Sequence, residues 1–247
     1  MAQGVKVTRV AQNIPAPKKF YEKASTEKIE GDVFAVMLDD RIAKTPKRHP
    51  LATRSHELSL AIAKEWEQVD EVIDTTQMPL TKLLATVIDL QTEARGEWTQ
   101  EVLNFLKSDL VCYRAIEPTE LVNRQLDIWT PYIEDWQSRF GAALKTTAGI
   151  VAVSQSEEAI NAARLHLEGL SSEQLLGVKA ATEISGSAVL AMALAEAPDN
   201  RDDIFIASRL DELFQEERWG IDGEAKEREQ NMRRDFMAAA QFLALTS

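Results

Sequence analysis

A single cysteine, Cys112, stands among 247 residues. No disulfide can form within the chain, which suits a reducing compartment. Histidine is nearly as scarce. His49, His56 and His166 lie far apart, without metal-ligand spacing and without a His-Glu-x-x-His pair. The chain also lacks a Gly-x-Ser-x-Gly elbow, a Gly-x-Gly-x-x-Gly turn and a phosphate-binding Gly-Lys-Ser/Thr loop. No apolar run approaches the roughly 20 residues of a membrane span. Met1 to Asn13 has neither the apolar core nor the cleavage site of a secretory leader. Cations are in deficit, 28 against 40 acids for a net charge of −12. A general nucleic-acid binder would need a surplus. The expectation from these absences is an intracellular chain that binds neither nucleic acid nor membrane and holds no metal.

What the chain has is enough apolar material for a core, 45% hydrophobic residues against 28% charged. Its charge is unevenly spread. Residues 1–50 hold ten Lys/Arg and six Asp/Glu, so that segment is +4 and residues 51–247 carry −16. Two readings stay open: ordinary solvated faces on one acidic protein, or an acidic body that steers a basic protein partner.

The residue pattern divides the chain as well. Val33 to Leu38 is short, apolar and partly β-branched, and it ends at Asp39-Asp40. Arg41 to Thr45 then runs to Pro46. This predicts two strands joined by a tight turn in which aspartate tolerates unusual backbone angles. Pro50 to Thr53 is a candidate third strand. From Ser55, a plausible N-cap, Leu58, Ala61, Ile62, Trp66 and Val69 share one helical face.

Beyond Met78-Pro79 the period is helical. Leu83 to Ile88 carries one stripe and Trp98 to Leu110 another. Trp129, Ile133 and Trp136 mark a third helix, with Pro131 near its start. Gly141 to Val153 holds a short extended piece. Further helices are expected over Ser156–His166, Ser172–Glu196, Asp199–Trp219 and Glu224–Phe242. Gly220 closes the helix before it, and the charges from Asp222 to Asp235 read as a solvated face. The predicted class is α+β, a small β-rich N-terminal domain before a larger all-helical C-terminal domain. The expected boundaries are a flexible N-terminus over 1–17, a β-rich domain over 18–77 with a helix at about 55–69, and a helical domain over 78–247.

No nucleophile–base pair is legible, so an enzyme built from dispersed carboxylates is the weaker reading. The histidines read as surface or packing residues, and Cys112, in an apolar helix, as a packing thiol. Two acids stand out. Glu217 falls on one face with Ile206, Leu210, Leu213 and Phe214, while Glu212 and Glu216 take a more polar face. Asp109 falls on the stripe of Phe105, Leu106 and Tyr113. A carboxylate on an apolar face needs hydrogen bonds, a cation or a proton, with Arg114 and Arg218 nearby as partners. A structural salt bridge, a recognition group and a general acid remain open.

A longer ordered set of pieces carries a resemblance. It includes Val36 to Arg41 with Thr45-Pro46, Ala63-Lys64-Glu65-Trp66, Met78-Pro79-Leu80-Thr81 and Asp89. Ser108 to Arg114, Gln125 with Trp129 and Pro131, Gly186-Ser187, and Asp211 to Gly220 follow in order. Together they resemble the ATP synthase F(1) assembly chaperones that bind the alpha subunit, over about Lys18 to Phe242. The resemblance implies a non-enzymatic, cofactor-free protein that keeps free alpha subunit soluble until the beta subunit replaces it. It also implies a bacterial cytoplasmic or mitochondrial matrix setting, and a monomer is expected. A carboxylate of the C-terminal domain matters in that family. Glu212 is the best match and Glu217 the second, in a partner-binding block with Gln215, Glu216 and Trp219. Asp89 and Asp109 are structural or functional acids of the same pattern. Asp40 stands where that family has a glycine. A scaffold for another protein partner is the alternative.

Overall fold

A computed structural model describes residues 17–149, 151–220 and 223–246. The flexible N-terminus expected over 1–17 lies, but for its last residue, outside the described residues. The fold class is the predicted one, a small sheet region followed by a larger helical part.

The chain enters as β1 (Ala24–Lys28), β2 (Phe34–Leu38), β3 (Arg41–Ile42) and β4 (Ala52–Thr53). β2 is the centre of this antiparallel sheet. β1 pairs along one edge, and β3 and β4 share the other. Its run Ala35 to Leu38 is buried, which explains why its apolar signal is continuous rather than alternating. The turn after it works as expected. Asp39 takes φ +52°, and its carboxylate accepts from the backbone of Glu22 at 3.0 Å and Lys23 at 2.9 Å. Asp40, at the family's glycine position, is not among the positive-φ residues, so no glycine is required there. Sequence reasoning missed β1, whose Ala-Ser-Thr-Glu-Lys offers little apolar signal.

α1 (His56–Glu67) packs across the sheet and is capped by Ser55, whose hydroxyl accepts from Leu58 N at 3.1 Å. The next helix, α2 (Pro79–Lys107), is one rod of 29 residues. The two stripes read as separate helices are its successive faces. No proline interrupts it, and Gly96 meets nothing within 4 Å where a Cβ would stand. Its first turn has no cap of its own. Glu65 of α1 supplies one instead, accepting from Leu80 N and Thr81 N, each at 2.8 Å, and from Thr81 Oγ1 at 2.7 Å. Two motif pieces fifteen residues apart thereby tie the sheet region to the helical part.

Asp109 and Cys112 do not continue α2. Asp109 caps, and Cys112 ends, a 3-10 turn (Leu110–Cys112), followed by β5 (Tyr113–Arg114), which pairs in parallel with β6 (Thr147–Ala148). The apolar helix expected around Cys112 is therefore absent, although the thiol is buried as predicted. α3 (Thr119–Phe140) starts earlier than expected, so Pro131 lies well inside it rather than near its start.

α4 (Glu157–Gly169) leads to α5 (Ser172–Ser185) and α6 (Ala188–Glu196). The single helix expected over Ser172–Glu196 is broken at Gly186, which takes φ +70°. The Ser187 hydroxyl starts the new helix by accepting from Leu190 N at 3.0 Å. α6 is apolar around most of its circumference and sits in the core. α5 packs closely on α2 and on α9 (Gly223–Thr246). A Cβ at Gly177 would meet Leu243 Cδ2 at 2.7 Å, so glycine permits that approach. The helix expected over Asp199–Trp219 is likewise two, α7 (Arg201–Ser208) and α8 (Leu210–Trp219).

Candidate functional site

α8 begins at a break in helical phase. Ile206, on α7, is therefore exposed and does not share a face with Leu210 and Phe214, the two buried residues of α8. Three residues before Phe214, at the inner edge, is Asp211, held to α3 by a 2.7 Å hydrogen bond from Gln125 Nε2. Gln125 is itself buried, and its Oε1 accepts from Ala115 N at 2.7 Å. Arg114 donates to the Gln125 carbonyl and lies 5.2 Å from the Trp129 ring. Burial pushes the Asp211 carboxyl upward, the bond from Gln125 opposes this, and the neighbouring Glu212 charge adds to the rise.

At about 100° per residue, Glu212, Gln215, Glu216 and Trp219 project opposite Leu210 and Phe214. These four line a groove with Arg228, Glu229 and Met232 of α9. Trp219 is 85% exposed, whereas Trp66, Trp98, Trp129 and Trp136 are buried. Glu212 takes a 2.7 Å hydrogen bond from Arg209 Nη1 and is half-buried. Charge, an exposed indole and a methionine thus share one open face. Such a face can grip a protein surface.

The fifth residue of the predicted block behaves differently. Glu217 shares the inward face of α8, as its spacing indicated, yet it is exposed rather than buried. Its cation is neither Arg114 nor Arg218. Arg124 Nη1 of α3 reaches both Glu217 oxygens, at 2.9 and 2.8 Å. Arg124 also donates to Glu120 at 2.9 Å, and Arg218 donates to the other Glu120 oxygen at 2.8 Å. Sequence reasoning missed Glu120 and Arg124 because they lie more than ninety residues away on another helix.

The remaining acids lie elsewhere and each serves one junction. Asp109 is fully buried and, among the described residues, takes no cation. It accepts from Ser187 Oγ at 2.6 Å, Val189 N at 3.1 Å and Val111 N at 3.3 Å. Burial pushes its carboxyl up to about 6 against the pull of these donors. Burial, with the Asp109 charge beside it, pushes the Cys112 thiol up to about 12. That thiol is protonated at neutral pH and unreactive. Asp89 of α2 accepts from Thr45 Oγ1 at 2.6 Å and Lys47 N at 2.9 Å, and His49 Nδ1 lies 2.9 Å away. Burial works against charge on Asp89, but these bonds together hold its carboxyl below the usual range. His56 packs on Phe34 and His166 on Phe140. Among the described residues no group of three or more His, Cys, Asp or Glu is placed to hold a metal ion. No described helix is long and apolar enough to cross a membrane.

Comparison with known proteins gives a consistent result. The sequence model of the family described as ATP12 chaperone protein matches residues 18–137, from the sheet region through most of α3. Protein atp12, mitochondrial, of Schizosaccharomyces pombe is 24% identical over 227 residues, covering 86% of this chain and 78% of that one. Protein ATP12, mitochondrial, of Saccharomyces cerevisiae is 26% identical over 247 aligned residues, covering 82% and 76%. The crystal structure of Atp12 from Paracoccus denitrificans superposes with a TM-score of 0.85 at 31% identity, over 93% of this chain and 98% of the other. That superposition extends the likeness beyond the residues matched by the family model.

Proposed function

The chain belongs to the ATP12 chaperone family, and we propose that it binds unassembled ATP synthase F(1) alpha subunit, keeps it soluble and yields it to the beta subunit. The observation that carries this reading is the outward face of α8. It places Trp219, 85% exposed, beside Glu212, Gln215 and Glu216. An unassembled subunit presents apolar interface that aggregates unless covered. A tryptophan anchor with a polar surround matches the usual make-up of a binding hot spot. The carboxylates set register and speed encounter while adding little net affinity, which leaves the complex weak enough to be displaced. The mode of action is non-enzymatic and needs no cofactor, and the protein works as a monomer in a bacterial cytoplasm or a mitochondrial matrix.

Co-expression with the cognate alpha subunit, in the absence of beta, tests the reading. Soluble alpha in a complex that dissociates when beta is added is the expected result. Trp219→Ala should weaken that complex about 30-fold, the size typical of an anchor residue. Glu212→Lys should weaken it as well, with the thermal midpoint unchanged. Insoluble alpha and no complex would remove the client assignment and favour a scaffold for a different protein partner.

A further inference from the structure

α8 is unusual in how it is attached. Beyond Phe214 none of its side chains is buried, so the turn that carries Trp219 has no apolar anchorage of its own. Four charged groups stand in its place. Arg124 reaches across from α3 to Glu217, shares Glu120 with Arg218, and lies with its guanidinium carbon 5.2 Å from the Phe214 ring. The Arg218 guanidinium carbon lies 4.2 Å from the same ring. Phe214 therefore contacts two guanidinium groups that are themselves bridged by one carboxylate. A planar guanidinium suits both the carboxylate and the aromatic face, and lysine would not reproduce that geometry.

We propose that Arg124 is the positioning residue of the partner-facing helix: through Glu217 and Phe214 it holds the last turn of α8 on α3 and so sets where Trp219 and Glu216 stand. The proposal rests on the reading of α8 as the client face. It moves Glu217 from client contact to internal brace, leaving Glu212, Gln215, Glu216 and Trp219 as the contact set. It also makes presentation of that face dependent on ion pairs exposed to solvent, hence sensitive to salt.

The test combines backbone hydrogen exchange with client binding. Arg124→Glu should speed exchange of the amides of residues 213–220, leave α5 and α6 at wild-type rates, and weaken the alpha-subunit complex about tenfold, the combined size of an ion-pair network and a cation–π contact. The double variant Arg124→Glu/Glu217→Arg rebuilds the 124–217 pair with its charges exchanged, though not the contacts with Glu120 and Phe214, and should restore both readouts in part. Arg124→Lys should fall between. Unchanged exchange over 213–220 in Arg124→Glu would overturn the proposal. So would faster exchange throughout the chain, which marks a general stability role, or a double variant no better than the single one. If the wild-type protein fails to bind alpha subunit at all, the functional reading fails, while the exchange measurements still decide whether Arg124 positions α8.

Discussion

Two regions of this protein use carboxylates to join helices distant in sequence, and they do it in opposite ways. At the junction of α2 and α6, Asp109 is fully buried and satisfied by one hydroxyl and two backbone N–H groups, with no cation among the described residues paired to it. At the edge of α3 and α8, Glu120 and Glu217 are exposed and satisfied by two arginines. A buried acceptor left without its donors, or donors left without their acceptor, costs the full desolvation of each group. An exposed ion pair exchanges readily with water and contributes little to global stability. The first device fixes the fold, and the second fixes the posture of one surface helix. Stability and partner binding are therefore separable by mutation.

The sharpest way to break this contrast is Asp109→Ala. Removing the carboxylate orphans Ser187 Oγ and two backbone N–H groups in the core. Equilibrium denaturation should show a loss of about 3 kcal/mol. A loss below about 1 kcal/mol would mean that the junction is held by apolar packing alone.

A smaller effect follows from titration. The folded Asp109 carboxyl lies at about 6, above its free-chain value near 3.9. Its stabilising contribution is thus full below about pH 4 and is lost as pH rises through about 6. The cost of Asp109→Asn should therefore be greater at pH 5 than at pH 7.5, by about 1 kcal/mol. A cost that grows with pH would show that the three donors, not burial, govern this group.

The smallest expected effect lies at the other region. Glu217→Gln should leave the thermal midpoint unchanged within error while raising amide exchange in α8. A clear drop in the midpoint would erase the distinction between the two regions.

How much of this was legible depended on the range of the interactions. The hairpin at Asp39, the cap at Ser55 and the burial of Cys112 were all readable, because each rests on a few adjacent residues or on polarity alone. The break at Gly186 was not. Glycine inside an apolar helical run is compatible with continuation, and only the Asp109 carboxylate, 78 residues away, captures the Ser187 hydroxyl at the new N-terminus. The long α2 was misread for a related reason: two stripes on one rod look like two helices until the neighbours on each side are known. At the candidate site, the phase of α8 was correct within the helix, placing Glu217 inward and Glu212 outward. The partner of Glu217 was wrong because Arg124 lies on another element.

The sequence by itself determined the α+β division, the family, and the split of α8 into an apolar and a polar face. Periodicity, composition and ordered motifs are local or additive properties of the chain. The tertiary structure alone decided which acid meets which partner. Glu65 caps α2, Asp109 starts α6, and Glu217 finds Arg124. The physical reason is that a hydrogen bond or ion pair is decided within about 3 Å, and only packing brings groups so far apart in sequence to that distance.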